Sequence, residues 1–314
     1  MGERLIVTAI VVTWNSAGDL ERCLQGIAAQ TVRCELIVVD NASADESVAV
    51  AAPYATKLIR NATNLGFAAA VNQGIAASSG KFVQLVNPDC FLAPDYCDKL
   101  MRAFDSDRVG MATGKLLLAD TPVLVDSKGI RMTRSGRHFD IDQGEPDQRN
   151  PENTEVFGVS GAAAMYSREF LDDVAIDGEI FDEDFFAYRE DADLSWRGRV
   201  LGWRAMYVPA AVAHHVRRVT PERRRSLPPS INMHSVKNRF LLRLKNEGAY
   251  LALRNLPFEL SRDLITIAAV LTIERTSLPA LGWLWRNRKR IASKRRAVQS
   301  RRRVSDRTLA GWFR

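Results

Sequence analysis

The chain has 314 residues, enough for one large α/β domain with an appendage or for two modest domains. Hydrophobic residues make up 46% and charged residues 26%, values that exclude collagen-like, wholly disordered and multi-span membrane classes. The net charge of +7 hides two opposite halves, since residues 1–216 carry 20 Lys+Arg against 31 Asp+Glu while residues 217–314 carry 24 against 6.

The N-terminal apolar run breaks at Trp14-Asn15 before any small-residue cleavage site, so a first β-strand over residues 5–12 is expected there rather than a signal peptide. Strand-like runs at 35–39, 81–86 and 109–113 alternate with helix-like stretches at 20–29 and 68–77. This alternation predicts a parallel sheet with helices on both faces. Residues 37–39 and 82–86 are nearly continuous in apolar side chains, as suits strands covered on both sides.

Three strand exits are polar: Thr13, Trp14 and Asn15; Asp40, Asn41 and Ser43; and Asn87, Pro88 and Asp89. Such residues also form turns and caps, and Ser43 with Glu46 matches a capping box. Three exits together define a candidate crevice outside the carboxyl ends of the strands. Gly66 sits at a loop-to-helix junction, where backbone can approach a phosphate or sugar, yet residues 64–74 match neither the P-loop nor the dinucleotide fingerprint. Residues 126–155, polar with scattered Gly and Pro, read as a long excursion of the kind that forms lids, binding loops or linkers. The run 156–166 returns as one strand interrupted by Gly158 and Gly161, small enough to let a substrate near the backbone.

The densest acidic stretch is 181–197. Glu190, Asp191 and Asp193 fit the first turn of a helix that Gly202 ends. Phe185, Phe186, Tyr188, Trp196 and Trp203 accompany them, and a carboxylate in partly apolar surroundings is raised towards general-base values. His215 follows beyond a further strand and becomes a metal partner of Asp89 only if the fold joins them. Cys23, Cys34, Cys90 and Cys97 contain no C-x-x-C pair and fit a reducing compartment.

In chain order, Thr13-Trp14-Asn15, Asp40-Asn41-Ala42-Ser43, Asn64 with Gly66-Phe67, Asn87-Pro88-Asp89, Glu190-Asp191 with Asp193 and Arg197, and His215 resemble glycosyltransferase family 2 over roughly residues 5–245, nearest to its bacterial rhamnosyltransferase-like members. The resemblance implies a GT-A fold, an α/β Rossmann-like architecture whose mixed, mainly parallel sheet is flanked by helices. It implies inverting transfer of L-rhamnose from dTDP-L-rhamnose to a cell-envelope glycan or polyprenyl-linked acceptor. A UDP-hexose donor, or a non-catalytic sugar-nucleotide- or nucleic-acid-binding protein, are the alternatives. On this reading Thr13 and Asn15 line the nucleotide pocket, and Asp40 accepts from the imide of a uracil or thymine base. Asn41, Gly66 and Asn72 border the sugar and diphosphate. Asp89 closes a D-x-D-like motif in which Asn87 replaces the first aspartate, and with His215 it holds Mg²⁺ or Mn²⁺. Asp191 is the general base, with Glu190 the other candidate.

The implied domains are a glycosyltransferase unit over 1–220, with a nucleotide half to about 115 and an acceptor half over 116–220, and a basic helical region over 221–314. Ser230 can cap a helix over 231–246 that packs Ile231, Val236, Phe240 and Leu244, exposes Lys237, Arg239, Arg243 and Lys245, and stops at Gly248. The apolar run 264–273 is too short to span a bilayer. Residues 281–303 combine Trp283, Leu284 and Trp285 with ten Lys+Arg and no acid. That pattern suits a peripheral anchor on anionic lipid, a solvated tail or an RNA-binding arm. The resemblance favours lipid over nucleic acid, on the inner face of the cell membrane, and leaves the oligomeric state open.

Overall fold

A computed structural model describes residues 6–148, 152–217 and 229–314. The expected strand start at residue 5 and the implied domain boundary at 220 lie outside these residues.

The N-terminal half alternates as its hydrophobic pattern predicts: β1 (Val7–Thr13), α1 (Ala17–Ala28), β2 (Cys34–Asp40), α2 (Ser47–Ala51), β3 (Lys57–Arg60), α3 (Phe67–Ala77) and β4 (Phe82–Val86). The strands lie in the order β4-β1-β2-β3, all parallel, with Val11 level with Val38 and Val86. Successive residues of β1 point to opposite faces and both faces are apolar. Ala9 and Val11 pack with Leu20, Leu24 and Ile27 of α1, while Ile10 and Val12 pack with Val71 and Ile75 of α3.

The second half contains β5 (Cys90–Leu92), α4 (Tyr96–Met101), β6 (Val109–Leu118), β7 (Val125–Ser127), β8 (Ile130–Met132), β9 (His138–Asp140), β10 (Thr154–Val156), β11 (Ala163–Ser167), α5 (Arg168–Val174), α6 (Glu190–Val200) and β12 (Arg204–His215). It extends the sheet as β4-β11-β6-β12-β10, with β11 antiparallel to both neighbours and β12 parallel to β6. The excursion is built structure, holding β7 on the sheet and the β8–β9 hairpin. The expected single strand over 156–166 is two strands, since β10 pairs with β12 while β11 lies between β6 and β4. Gly158 marks the crossing: a Cβ there would come within 2.4 Å of the Ser195 side chain, so the backbone passes against α6.

The C-terminal region is α7 (Pro229–Asn246), α8 (Ala249–Thr272), α9 (Leu278–Arg286), α10 (Arg288–Ser300) and α11 (Asp306–Leu309). Phe157 and Trp196 share one core with Leu241, Leu251, Ile291, Val298 and Phe313, which joins these helices to α6. The expected facing of α7 holds for Val236 and Phe240, which pack inward, but not for Leu244 or the cations. Lys237, Arg239, Arg243 and Lys245 are buried, and Leu244 is 49% exposed. The cations turn inward because acids wait there: Lys245 Nζ lies 2.5 Å from Asp182 and 2.7 Å from Asp193, and Arg243 pairs with Glu259 and Asp263 of α8. Gly248 does not stop α7 in a left-handed turn but caps α8 at φ −85°, where a Cβ would strike the Asp306 carboxylate. Nor is 281–303 a solvated tail, since Lys294 of α10 is buried against Glu179, Asp182 and Asp184.

Candidate active site

At the carboxyl edge of the sheet a cavity of about 550 Å³ opens, within the range of small-ligand sites. The turn after β4 supplies Asn87 and Asp89, the loop before β11 supplies Ser160 and Gly161, and the N-terminus of α6 supplies Glu190 and Asp191. The end of β12 adds His215 and Arg217, β9 adds His138 and Asp140, and α7 closes the wall with Ile231, Asn232 and Ser235.

Asp89 and His215, 126 positions apart in the chain, meet because β5 pairs antiparallel with the end of β12. His215 Nε2 lies 3.2 Å from Asp89 Oδ1, and His215 Nδ1 lies 2.9 Å from Asp126 Oδ2. Burial alone would lower the imidazole pKa, but the hydrogen bonds to the two carboxylates raise it to about 9. Asp126 is fully buried on β7 and also takes Arg217, which reaches on to Asp140 at 2.7 Å. A carboxylate behind a histidine fixes its ring and tautomer, an arrangement that suits a metal ligand.

Asp89 and His215 therefore fit a divalent cation, with one limit. Among the described residues no group of three or more His, Cys, Asp or Glu surrounds a common point. Two protein ligands suit a hard cation that keeps waters and arrives with phosphate oxygens, not a closed protein cage.

Glu190 and Asp191 form the other acidic pole. Asp191 Oδ2 accepts from Gly161 N at 3.1 Å, and Oδ1 accepts from its neighbour Ala192 N at 2.7 Å. Burial raises its pKa while these backbone donors pull it back. Glu190 is held back only by its own backbone N–H: burial first, then the Asp191 charge, push it up to about 8, and its Oε2 is buried without a hydrogen-bond partner. Burial raises both of these adjacent carboxyls, Glu190 further than Asp191, and they titrate as a pair. Their mount is strained. Phe186, Tyr188 and Arg189 all have left-handed backbone at φ 65°, 70° and 73°, which costs of order 1–3 kcal/mol per residue. Asn238 of α7 holds that loop, its Nδ2 lying 2.9, 2.8 and 2.7 Å from the carbonyls of Phe185, Ala187 and Tyr188.

Of the residues expected from sequence, the cavity gathers Asn87, Asp89, Glu190, Asp191 and His215. The others lie outside its lining, Thr13, Asn15, Asp40 and Asn41 at the ends of β1 and β2, Gly66 just before α3 and Asn72 within it. Thr13 is fully buried with its Oγ1 unpartnered, and Asp40 is buried and accepts from Ser43 N. Asn15 is left-handed and its Oδ1 accepts from Ala44 N at 2.7 Å, which ties the two strand exits together. Three expected sugar or diphosphate contacts are instead engaged inside the protein. Asn41 Nδ2 donates to Asn64 and to the Gly66 carbonyl, and its Oδ1 accepts from Leu65 N. Asn72 both donates to and accepts from the Phe181 backbone. Gly66, at φ 88°, gives room to the protein's own Phe186, whose ring would lie 2.5 Å from a Cβ. Gly161 does border the cavity, while Gly158 is filled by Ser195.

Asp126, Asp140, Arg217, His138 and Arg189 are the site residues that sequence reasoning missed. His138 accepts from Arg189 at 3.0 Å, and burial together with Arg189 and Arg137 keeps its pKa well below the ordinary value.

Residues 8–175 match the model of the family described as Glycosyl transferase family 2. Over 130 residues the chain is 30% identical to the succinoglycan biosynthesis protein ExoO of Rhizobium meliloti, covering 40% of this chain and 36% of that protein. The chain spans about a third of the length of curated relatives of this kind. Among solved structures it is similar to GalNAc-T7 with UDP, GalNAc and Mn²⁺, at a TM-score of 0.61 and 17% identity, over 77% of this chain and 48% of that one. It is likewise similar to the mannosyltransferase PcManGT of Pyrobaculum calidifontis with GDP-Man and Mn²⁺, at a TM-score of 0.54 and 19% identity, over 94% and 85%. At these identities the likeness is one of fold, and the fold is GT-A.

Proposed function

The chain belongs to glycosyl transferase family 2, and on that premise we propose that it is an inverting enzyme that moves a sugar from a nucleoside-diphosphate donor to an acceptor hydroxyl. The observation that carries this reading is the cavity itself, with the charge of Asp191 on one wall and the Asp89–His215 pair on another.

Inversion needs a base on the face of the sugar opposite the leaving group. Asp191 takes the acceptor proton as the hydroxyl attacks the anomeric carbon, and the bond to the diphosphate breaks on the far side. Burial raises Glu190 further than Asp191, whose carboxylate is supported by the Gly161 and Ala192 N–H groups, which favours Asp191 as the base. Asp89 and His215 would hold a divalent cation at the diphosphate end, and Asp126 fixes the His215 ring. Such a cation, when bound, neutralises charge that develops on the leaving group. Thr13 and Asp40 recognise the base from the neighbouring strand ends. Arg217 and Arg189 supply positive charge without a lysine.

The donor we assign is dTDP-L-rhamnose, which rests on the motif set alone, and the acceptor is a cell-envelope glycan or polyprenyl-linked glycan, which the name of ExoO supports. Four free thiols support a reducing, cytoplasmic site of action. Calorimetric titration with dTDP and UDP, with and without Mn²⁺, is the test. Affinity should depend on the metal and fall about tenfold or more in Asp89→Ala; unchanged binding in that variant overturns the metal assignment. A screen of nucleotide sugars for release of the nucleotide then separates the rhamnose donor from a UDP-hexose.

A further inference from the structure

α8 is amphipathic with its faces exchanged. Its inward side carries Asn255, Glu259 and Thr266, all buried. Glu259 and Asp263 pair with Arg243 of α7, and Thr266 accepts from Arg239. Its outward side carries Leu253, Leu256, Leu260, Leu264 and Leu271, spaced to fall on one stripe of a helix, and between 51% and 74% of each remains exposed. No exposed residue of this 24-residue helix is charged. The ion-paired side of the helix faces the protein, so the stripe needs a non-aqueous partner.

The surroundings identify its chemistry. Past the end of the helix Ile273 is 84% exposed and Trp285 of α9 is 69% exposed. Arg275, Arg286, Arg288 and Lys289 are exposed beside them, and residues 275–303 contain no Asp or Glu. Arg288 lies over the Trp285 ring, 4.4 Å from its centre. An apolar face with an interfacial tryptophan and a mainly cationic fringe, in which Glu274 is the one acid between Ile273 and Lys289, complements a lipid surface bearing negative headgroups. A second copy would bring the same cations together.

We propose that the outward face of α8, continued through Ile273 to Trp285, seats on an anionic phospholipid membrane with the helix lying along the surface. The surface is therefore centred on α8, and residues 281–303 contribute only its fringe, because Lys294 and Arg301 are committed to the body of the protein. Among the described residues no single helix is long and apolar enough to cross a membrane, and α8 is bent from the following segment by 108°. With one face occupied by ion pairs, α8 has a single side to give to lipid. α7 lies between that side and the cavity, so the wall holding Asn232 and Ser235 would stand next to the bilayer.

The test uses the full chain. It should float with phosphatidylcholine vesicles containing phosphatidylglycerol and bind vesicles of phosphatidylcholine alone much less. Leu260→Ser with Leu264→Ser should cut flotation about tenfold or more, with circular dichroism and thermal midpoint unchanged because both positions are exposed. Arg286→Glu with Arg288→Glu should weaken binding to the anionic vesicles specifically. Flotation unaffected by the serine pair overturns the proposal. So does a wild-type protein that stays in solution as a dimer and becomes monomeric in the serine variant. Nucleotide affinity measured on the same samples separates a failure of this surface from a failure of the donor reading.

Discussion

The carboxylates of residues 179–193 fall into two groups that differ in what faces them. Asp182, Asp184 and Asp193 point at the C-terminal helices and meet Lys245, Lys294 and Arg290. Glu190 and Asp191, interleaved with them in sequence, point at a cavity whose described lining holds no lysine. The first group is structural and the second is available to chemistry, although composition scores them alike. The same contrast reinterprets the charge asymmetry of the chain: part of the basic C-terminal region is the counter-ion of its own acidic body, and among the described residues the cations at the far end of α8 and α9 are exposed to an outside surface.

Removing the charge from one member of each group separates the roles. Asp191→Asn keeps the shape and loses proton acceptance, so turnover should fall about 10²–10⁴-fold, with nucleotide affinity and thermal midpoint retained. Glu190→Gln should cost far less at neutral pH, since that carboxyl is already protonated there. Single-turnover donor consumption reads both. A larger loss in Glu190→Gln exchanges the two assignments.

Lys245→Met tests the paired group. A broken buried ion pair costs about 3–5 kcal/mol, and the lower end is expected because Asp182 keeps Lys294 and Asp193 keeps Arg197. Equilibrium denaturation should show that loss while turnover per folded molecule stays near wild type. The pH dependence has a definite sign. Burial opposes the Asp182 charge, but Lys245 and Lys294 together hold its pKa well below the usual value. Its stabilisation is therefore present above the unfolded aspartate pKa of about 3.9 and is lost as pH falls through and below it. The acid-labile portion should shrink in Lys245→Met.

Sequence legibility followed the range of the interactions. β1, β2 and β4 could be read because burial on both faces leaves continuous apolar runs in single strands, whereas the edge strand β3, exposed at both ends, left no such run. Asn87, Asp89, Glu190, Asp191 and His215 stood out as residue types at strand ends and a helix start. Asp126 could not, since it reaches His215 across 89 positions from inside a polar stretch that resembled a loop. α7 was misjudged for a related reason. The rule that lysine and arginine face water holds only without a buried acid, and the acids of Lys245 lie 63 and 52 positions upstream. A strand expected over 156–166 broke in two because its gap is filled by α6, which local pattern cannot register.

Asn238 links the two groups and provides the finest test. It sits on α7, between the buried Lys237 and Arg239, yet its amide holds the strained loop that delivers Glu190 and Asp191. Asn238→Ala leaves those carbonyls without their donor, at a cost of about 1–3 kcal/mol. If the amide only stabilised the fold, the whole loss would appear in denaturation and the folded enzyme would turn over normally. If it positions the carboxylates, relaxation of the left-handed residues moves Asp191 from the acceptor oxygen. Then kcat should drop about tenfold, equivalent to about 1.4 kcal/mol, while KM for the donor, proposed to bind on the opposite wall at Asp89 and His215, stays constant. A rise in donor KM with kcat unchanged would mean that the basic helices shape the nucleotide side, and the division between a structural and a chemical acid group would no longer follow the line between α6 and α7.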